Sequence, residues 1–191
     1  MTEFRANIIM LIHFLALTSC AVNSTRKSAS YYETNADQIT EIRKNYESLY
    51  SHQPFSVGFT DKSFKYYVME VTTDTLRYIY NTEQSEKKLL ETIQRFQYDT
   101  AQLRQLARKM KEIKCLWLDK SSFYLDGVKE SVTFLSFKSV TVDKPFVENK
   151  YYVLIFLNHE LRDAETKARV KKGELVRITD LVYFMIGNRF R

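Results

Sequence analysis

A histidine next to a carboxylate is the pairing in this sequence that could perform acid–base chemistry. His159 and Glu160 follow an apolar run at residues 151–157, so they lie at the end of a predicted strand. A histidine oriented by a carboxylate can act as a general base. The sequence contains no nucleophile motif to accompany the pair, and a solvated histidine at a strand end is the simpler interpretation. No catalytic residue is therefore predicted.

A thiol near the N-terminus, that of Cys20, is informative because of the residues before it. An apolar run of ten residues, from Ile8 to Leu17, precedes it. A permanent membrane-spanning helix needs about 20 apolar residues, whereas a run of this length is typical of the hydrophobic region of a secretory signal peptide. The small side chains of Thr18 and Ser19 separate this run from the cysteine.

The residues Leu17-Thr18-Ser19-Cys20 resemble the lipobox of bacterial lipoproteins at all four positions. The resemblance implies that the Cys20 thiol receives a diacylglyceryl group, that the chain is cleaved between Ser19 and Cys20, and that the new amino terminus is acylated. The partner implied by this anchor is a lipid bilayer. Two alternatives are cleavage by the ordinary signal peptidase and a buried N-terminal helix with an incidental cysteine.

The residues that follow Cys20 predict where the mature chain is held. Position 21 is Ala rather than Asp, which resembles the pattern of lipoproteins sent to the outer membrane and places the chain at the periplasmic face. Residues 1–19 are then the signal peptide. Residues 20–34 are rich in Ser, Thr and Asn without hydrophobic periodicity, so a flexible tether is expected. The remainder, residues 35–191, is expected to form a single domain.

The domain is predicted to be α+β and to begin with a helix. Asn35 and Gln38 have the spacing of a capping box, and apolar residues at helical spacing continue to Leu49. Pro54 prevents continuation of this helix. Alternating apolar residues over 55–80 then predict a small antiparallel β-meander.

A second helical segment is predicted at residues 82–114, where apolar side chains recur on one helical face. This face is interrupted at Thr100, and Asp99 with Gln102 has the pattern of a capping box. We favour one long amphipathic helix packed on the sheet. Two helices broken near Asp99 are the alternative.

Strand signals dominate the sequence after Lys114 and predict a larger antiparallel sheet. Asp126 and Gly127 have the composition of a type I′ hairpin turn, and residues 149–157 are nearly continuous in apolar side chains. Strands and helices do not alternate one for one, which argues against a parallel doubly wound sheet. Residues 173–180 resemble the closing hairpin of cystatin-like (NTF2-like) cone domains, and such a cone is the alternative fold.

The composition excludes several classes of function. With only 4 Gly and 2 Pro, the chain has no glycine-rich phosphate loop and no proline-rich segment. Two Cys and three His are too few for a dedicated zinc site, so no metal or cofactor is predicted. The net charge of +6 comes from charges mixed along the chain, and no nucleic-acid partner is predicted.

The isolated cysteine and several aspartates are expected to have structural roles. Cys115 lies in an apolar stretch and has no intrachain cysteine partner once Cys20 is acylated, so a buried, inert thiol is expected. Asp119, Asp126 and Asp143 are expected in turns, where an aspartate serves backbone hydrogen bonds.

Adjacent tyrosines are the candidates for a binding surface. Tyr66 with Tyr67 and Tyr151 with Tyr152 lie on predicted strands, where neighbouring side chains point to opposite faces. One tyrosine of each pair could therefore be exposed to a ligand or a partner. The alternative is a core aromatic ring whose hydroxyl reaches the surface.

Three hypotheses of function follow. The first is a non-enzymatic binding or assembly domain held in the cell envelope through Cys20, with an envelope protein as its partner. The second is a periplasmic small-ligand binder, which a deep apolar pocket with tyrosine hydroxyls in its wall would favour. The third is a hydrolase that uses His159 and Glu160.

Overall fold

A computed structural model of the chain describes the backbone over residues 2–60, 63–82, 86–125, 128–140, 150–161 and 164–188. Side chains are described within these ranges except at residues 2–22, 123–125, 128, 140, 165, 166 and 188. The chain divides into two compact units, Met1–Thr34 and Asn35–Arg191.

The first helix, α1, extends over Thr2–His52. The structure differs here from the expected flexible tether, because residues 20–34 are helical. The first 53 residues contain no Gly and no Pro, so the two residue types that most disfavour a helix are absent from them. The serine hydroxyls are also compatible with a helix, since Ser28 Oγ donates to the Ser24 carbonyl at 2.8 Å. Asn35, with φ −117° and ψ 15°, marks a kink where the sequence predicts a helix start.

Within the described residues, no helix combines the length and the apolar character required to cross a membrane.

The second unit is α+β, as predicted, with one antiparallel sheet in the strand order β3-β2-β1-β4-β5-β6-β8-β7. Its strands are β1 (Phe55–Phe59), β2 (Tyr67–Thr72), β3 (Arg77–Asn81), β4 (Trp117–Leu125), β5 (Val128–Val140), β6 (Lys150–Phe156), β7 (Val176–Arg177) and β8 (Val182–Asn188). The predicted meander is not a separate sheet. It joins the larger sheet because Val57 and Gly58 of β1 pair with Leu118 and Trp117 of β4.

The predicted long helix at residues 82–114 is wrong, because the structure contains two helices, α2 (Glu86–Arg95) and α3 (Thr100–Glu112). Gln97 has a positive φ of 55°, which no helix accommodates. The Asp99 carboxylate then accepts the backbone N–H of Ala101 at 2.8 Å and of Gln102 at 3.0 Å. This N-cap starts a new helix.

A short helix, α4 (Ala164–Lys171), lies between β6 and β7 in a segment rich in charged residues. Gly173 follows it with a φ of 76°, a backbone conformation that favours glycine. The predicted turn at Asp126 and Gly127 lies outside the described residues, as does Asp143.

Side chains pack against both faces of the sheet. On one face, the predicted apolar stripe of α1 is buried, at Ile39, Ile42, Tyr46 and Leu49. The Tyr46 ring lies 5.1 Å from the ring of Phe55 on β1. On the other face, a second buried cluster comprises Val132, Phe134, Val153, Ile155, Leu157, Leu175 and Tyr183.

The pairing of β1 with β4 depends on the small size of Gly58. A Cβ atom at this position would overlap the Trp117 ring and the Leu116 carbonyl oxygen. Trp117 itself belongs to the core, because it is 3% exposed. Trp117 can therefore cover β1 only where β1 has no side chain.

We expect Gly58→Ala to lower the free energy of unfolding by about 1–3 kcal/mol, since the added methyl overfills a packed site. Urea unfolding monitored by tryptophan fluorescence measures the change. Gly187→Ala on β8 is the control, because its Cβ would meet only the flexible end of Met185. A loss at Gly58 no larger than that at Gly187 would contradict the packing argument.

Candidate functional site

The predicted tyrosine surface is divided between two places in the sheet. Tyr67 begins β2 and Tyr66 precedes it, whereas Tyr151 and Tyr152 lie on β6. Strands β1, β4 and β5 separate β2 from β6, which corresponds to about 19 Å at the usual strand spacing. All four tyrosines are partly buried, so the two pairs do not form one common binding surface.

The tyrosines on β6 pack with hydrophobic neighbours. The Tyr152 ring lies 5.9 Å from that of Phe137 and 5.4 Å from that of Phe184, with both contacts edge-on. Tyr151 packs against the second buried cluster on the opposite face of the sheet. These contacts match the core-aromatic alternative better than a binding surface.

Tyr67 lines a cavity of about 180 Å³ between β2 and the two helices α2 and α3. Leu89 and Ile93 of α2, and Leu103 and Ala107 of α3, form its apolar wall. Each pair is spaced four residues apart, so both members lie on the same helical face. The other lining residues are Thr82, Glu86, Leu90, Thr100 and Arg104. This mainly apolar pocket lies between helices and sheet.

The hydroxyl of Tyr67 is an unusual group. It is buried, and no residue in the described part of the chain forms a hydrogen bond with it. Burial raises the pKa of Tyr67 well above its ordinary value, so the hydroxyl keeps its proton. A buried hydroxyl without a partner costs about 1–3 kcal/mol.

Two other buried tyrosines in the unit satisfy their hydroxyls. Tyr46 donates to the Phe55 carbonyl at 2.6 Å, and Tyr98 donates to the Gln53 carbonyl at 3.0 Å. Tyr67 differs from both of them in this respect.

The position of Tyr67 is fixed by its backbone and its ring. Its N–H donates to Thr82 Oγ1 at 2.9 Å, and the same hydroxyl donates back to the Tyr67 carbonyl at 3.1 Å. The ring lies 5.5 Å from that of Phe59 on the adjacent strand. These contacts hold the side chain of Tyr67 in one position.

A second, polar cleft of about 250 Å³ lies where β1 begins, and it includes Asp119, Arg77, Lys120 and Tyr50. Asp119 was expected in a turn, but it lies within β4 opposite Phe134. The pKa of Asp119 is raised from 3.8 to about 6. Burial is the main cause and the nearby Glu70 adds to it, while the Lys120 backbone N–H and Arg77 oppose the shift. Local patterns in the sequence do not predict the surroundings of Asp119, because neighbouring strands create them.

The hydrolase hypothesis uses His159 with Glu160, and the structure brings a different carboxylate to this histidine. His159 Nε2 contacts the carboxylate of Glu130, which lies 29 residues earlier on β5. Its Nδ1 lies 3.0 Å from the backbone carbonyl oxygen of Glu160. The pairing of β5 with β6 brings Glu130 beside the residues that follow β6, an effect that local spacing cannot show.

The structure describes the side chain of one of the two cysteines. Cys115 is buried, as expected, and burial raises the pKa of its thiol, which disfavours the reactive thiolate. Ser19 and Cys20 lie in α1, and their side chains are outside the described ones. Among the described residues, no group of three or more His, Cys, Asp or Glu is placed to hold a metal ion.

Comparison with known proteins finds no matching family, no matching curated sequence and no matching solved structure.

We expect Tyr67→Phe to raise the free energy of unfolding by about 1 kcal/mol, because it removes a buried hydroxyl that has no partner. Tyr46→Phe is the matched control and should lower it by about 1 kcal/mol, because it leaves the Phe55 carbonyl without its donor. Urea unfolding of the two variants gives both values. Equal losses in the two variants would show that Tyr67 is hydrogen-bonded.

We expect Asp119 to lower the stability of the fold as the pH rises, which is the opposite of the usual effect of a carboxylate. A carboxyl with a raised pKa binds its proton more tightly in the folded chain than in the unfolded chain. Its contribution is present below about pH 4 and is lost as the pH rises through about 6. We expect the stability of the wild type relative to Asp119→Asn to fall by about 2–3 kcal/mol from pH 4 to pH 7. Urea unfolding across this range measures the fall.

A pH profile of Asp119→Asn that runs parallel to that of the wild type would refute the raised pKa of Asp119.

Proposed function

We propose that the chain is a lipid-anchored protein of a bacterial envelope, in which the Asn35–Arg191 unit serves as a non-enzymatic binding domain. The observation that carries the proposal is the sequence Leu17-Thr18-Ser19-Cys20 directly after an apolar run. The thiol of Cys20 is the nucleophile that takes the diacylglyceryl group, and the small residues before it admit the chain to a narrow protease site. Several acyl chains together hold a protein stably at a bilayer.

A small-ligand function is the second candidate, and the cavity beside Tyr67 favours it. Its volume of about 180 Å³ is close to that of an engineered apolar cavity of about 150 Å³ that binds benzene. Pockets for drug-sized ligands are larger, at about 300–1,000 Å³. A ligand in this cavity is therefore a small molecule or one small apolar part of a larger molecule.

We expect Cys20→Ala to abolish lipidation, because alanine offers no thiol for the diacylglyceryl group. Intact-mass spectrometry of protein from the membrane fraction measures this. The wild type should begin at Cys20 and carry acyl chains, whereas the variant should carry none.

Cys115→Ala is the matched control, because it removes the buried thiol and leaves Cys20 in place. Its mass should show the same acylation as the wild type. An unlipidated wild-type chain, cleaved or intact, would refute the lipoprotein proposal.

A further inference from the structure

We infer that the outer edge of β3 pairs with the same edge of a second copy of this chain, with a two-fold axis at Ile79. Within the described part of the chain, β3 is the end strand of the sheet and pairs with β2. The inference goes beyond the proposed function and requires neither the lipid anchor nor the cavity. Three features of β3 carry it: its outward backbone groups, its exposed isoleucine and the order of its side chains.

The backbone of β3 points hydrogen-bonding groups away from β2 at every second residue. Thr82, directly after β3, donates its N–H to the Tyr67 carbonyl of β2 at 2.9 Å, so Thr82 faces inward. Inward and outward groups alternate along an antiparallel pair. Counting back from Thr82, the N–H and C=O groups of Ile79 and Arg77 therefore face outward. Such an edge is a template for a further strand.

The side chains of β3 leave this edge accessible. Ile79 is 56% exposed, an unusual degree for a large apolar residue on a strand. Edge strands are often protected by charged residues or proline. The strand has no proline, and its one charged residue, Arg77, forms an ion pair with Glu70 of β2 at 3.8 Å. With only five residues, β3 offers a small interface, so a weak dimer is expected.

The order of the side chains selects a second copy as the partner, because β3 is complementary to itself. Antiparallel pairing centred on Ile79 places the two isoleucines opposite each other, and their backbones exchange both hydrogen bonds. Arg77 then faces Asn81 of the second copy, and Tyr78 faces Tyr80. Apolar and aromatic cross-strand pairs stabilise a sheet, whereas like charges directly opposite destabilise it. Pairing centred on Arg77 would instead place two guanidinium groups opposite each other.

The two tyrosines of β3 are already positioned for these cross-strand contacts. Their rings, those of Tyr78 and Tyr80, are stacked with centroids 6.1 Å apart and an interplanar angle of 14°. The Tyr78 ring also lies 5.6 Å from the ring of Phe96. Pairing around Ile79 continues this aromatic row into the second copy, and it orders few side chains that are not already held.

Cysteine cross-linking tests the pairing and its register in the purified full chain in detergent micelles. The Cα atoms of a hydrogen-bonded antiparallel pair lie about 5.5 Å apart, within the range of about 4.4–6.8 Å that a disulfide spans. Under mild oxidation, we expect Ile79→Cys to form a disulfide-linked dimer above the wild-type background. A mixture of Arg77→Cys and Asn81→Cys should form the mixed dimer, and neither variant should cross-link with itself.

Ile79→Lys tests the same contact without a cross-link, because it places two ammonium groups at the axis. Sedimentation of the full chain over a range of concentrations gives the dissociation constant of the dimer. We expect this variant to raise the constant about 10-fold or more. Ile186→Lys is the matched control, since Ile186 is an isoleucine on β8 that is 44% exposed. Its dissociation constant should equal that of the wild type.

The outcomes decide both the contact and the partner. A dimer that cross-links at position 79 and is weakened by Ile79→Lys alone supports the inference. A wild-type chain that stays monomeric, with no disulfide in Ile79→Cys, overturns it and leaves the edge to another partner. A dimer weakened by Ile186→Lys and not by Ile79→Lys overturns it in favour of the other end of the sheet. Self-cross-linking of Arg77→Cys overturns the register.

Discussion

The short contact between β1 and β4 is the interaction on which the sheet depends. Without it, β1, β2 and β3 would form a separate hairpin layer, and the cavity would lose its β2 wall. The two strands approach through Val57 and Gly58, and Phe59 N–H donates to the Leu116 carbonyl at 2.8 Å. Since Trp117 lies directly over Gly58, one absent side chain allows the whole eight-stranded sheet to be continuous.

The buried tyrosine hydroxyls differ in whether the chain supplies them with a hydrogen-bond acceptor. At Tyr46 and Tyr98, the chain supplies an acceptor, and the hydroxyls tie α1 and the α2–α3 connection to the segment at residues 53–55. At Tyr67, the chain supplies none. Sequences that fold well satisfy most of their buried polar groups, and the exceptions concentrate at functional sites. Tyr67 is therefore the tyrosine among these three whose hydroxyl lacks an acceptor in the described residues.

The α+β class and most strands could be predicted from the sequence, because period-2 patterns and turn residues are local signals. The burial of the stripe from Ile39 to Leu49 could also be predicted, because helical spacing of apolar residues is a local signal. Local signals misled where two structures compete: a helical face spans residues 82–114, but the cap at Asp99 divides it. The Glu130 contact with His159 and the environment of Tyr67 depend on residues far apart in the chain, and no local spacing encodes them.

The buried thiol of Cys115 adjoins the same junction of β1 and β4, since its Sγ lies 3.6 Å from the Trp117 carbonyl oxygen. It is fully buried, so a thiol reagent can reach it only after the surrounding core opens. The rate at which such a reagent modifies the native protein therefore depends on how often this junction opens and how long it stays open. The Cys115 thiol is therefore an internal chemical probe of local opening at the place where β1 joins β4.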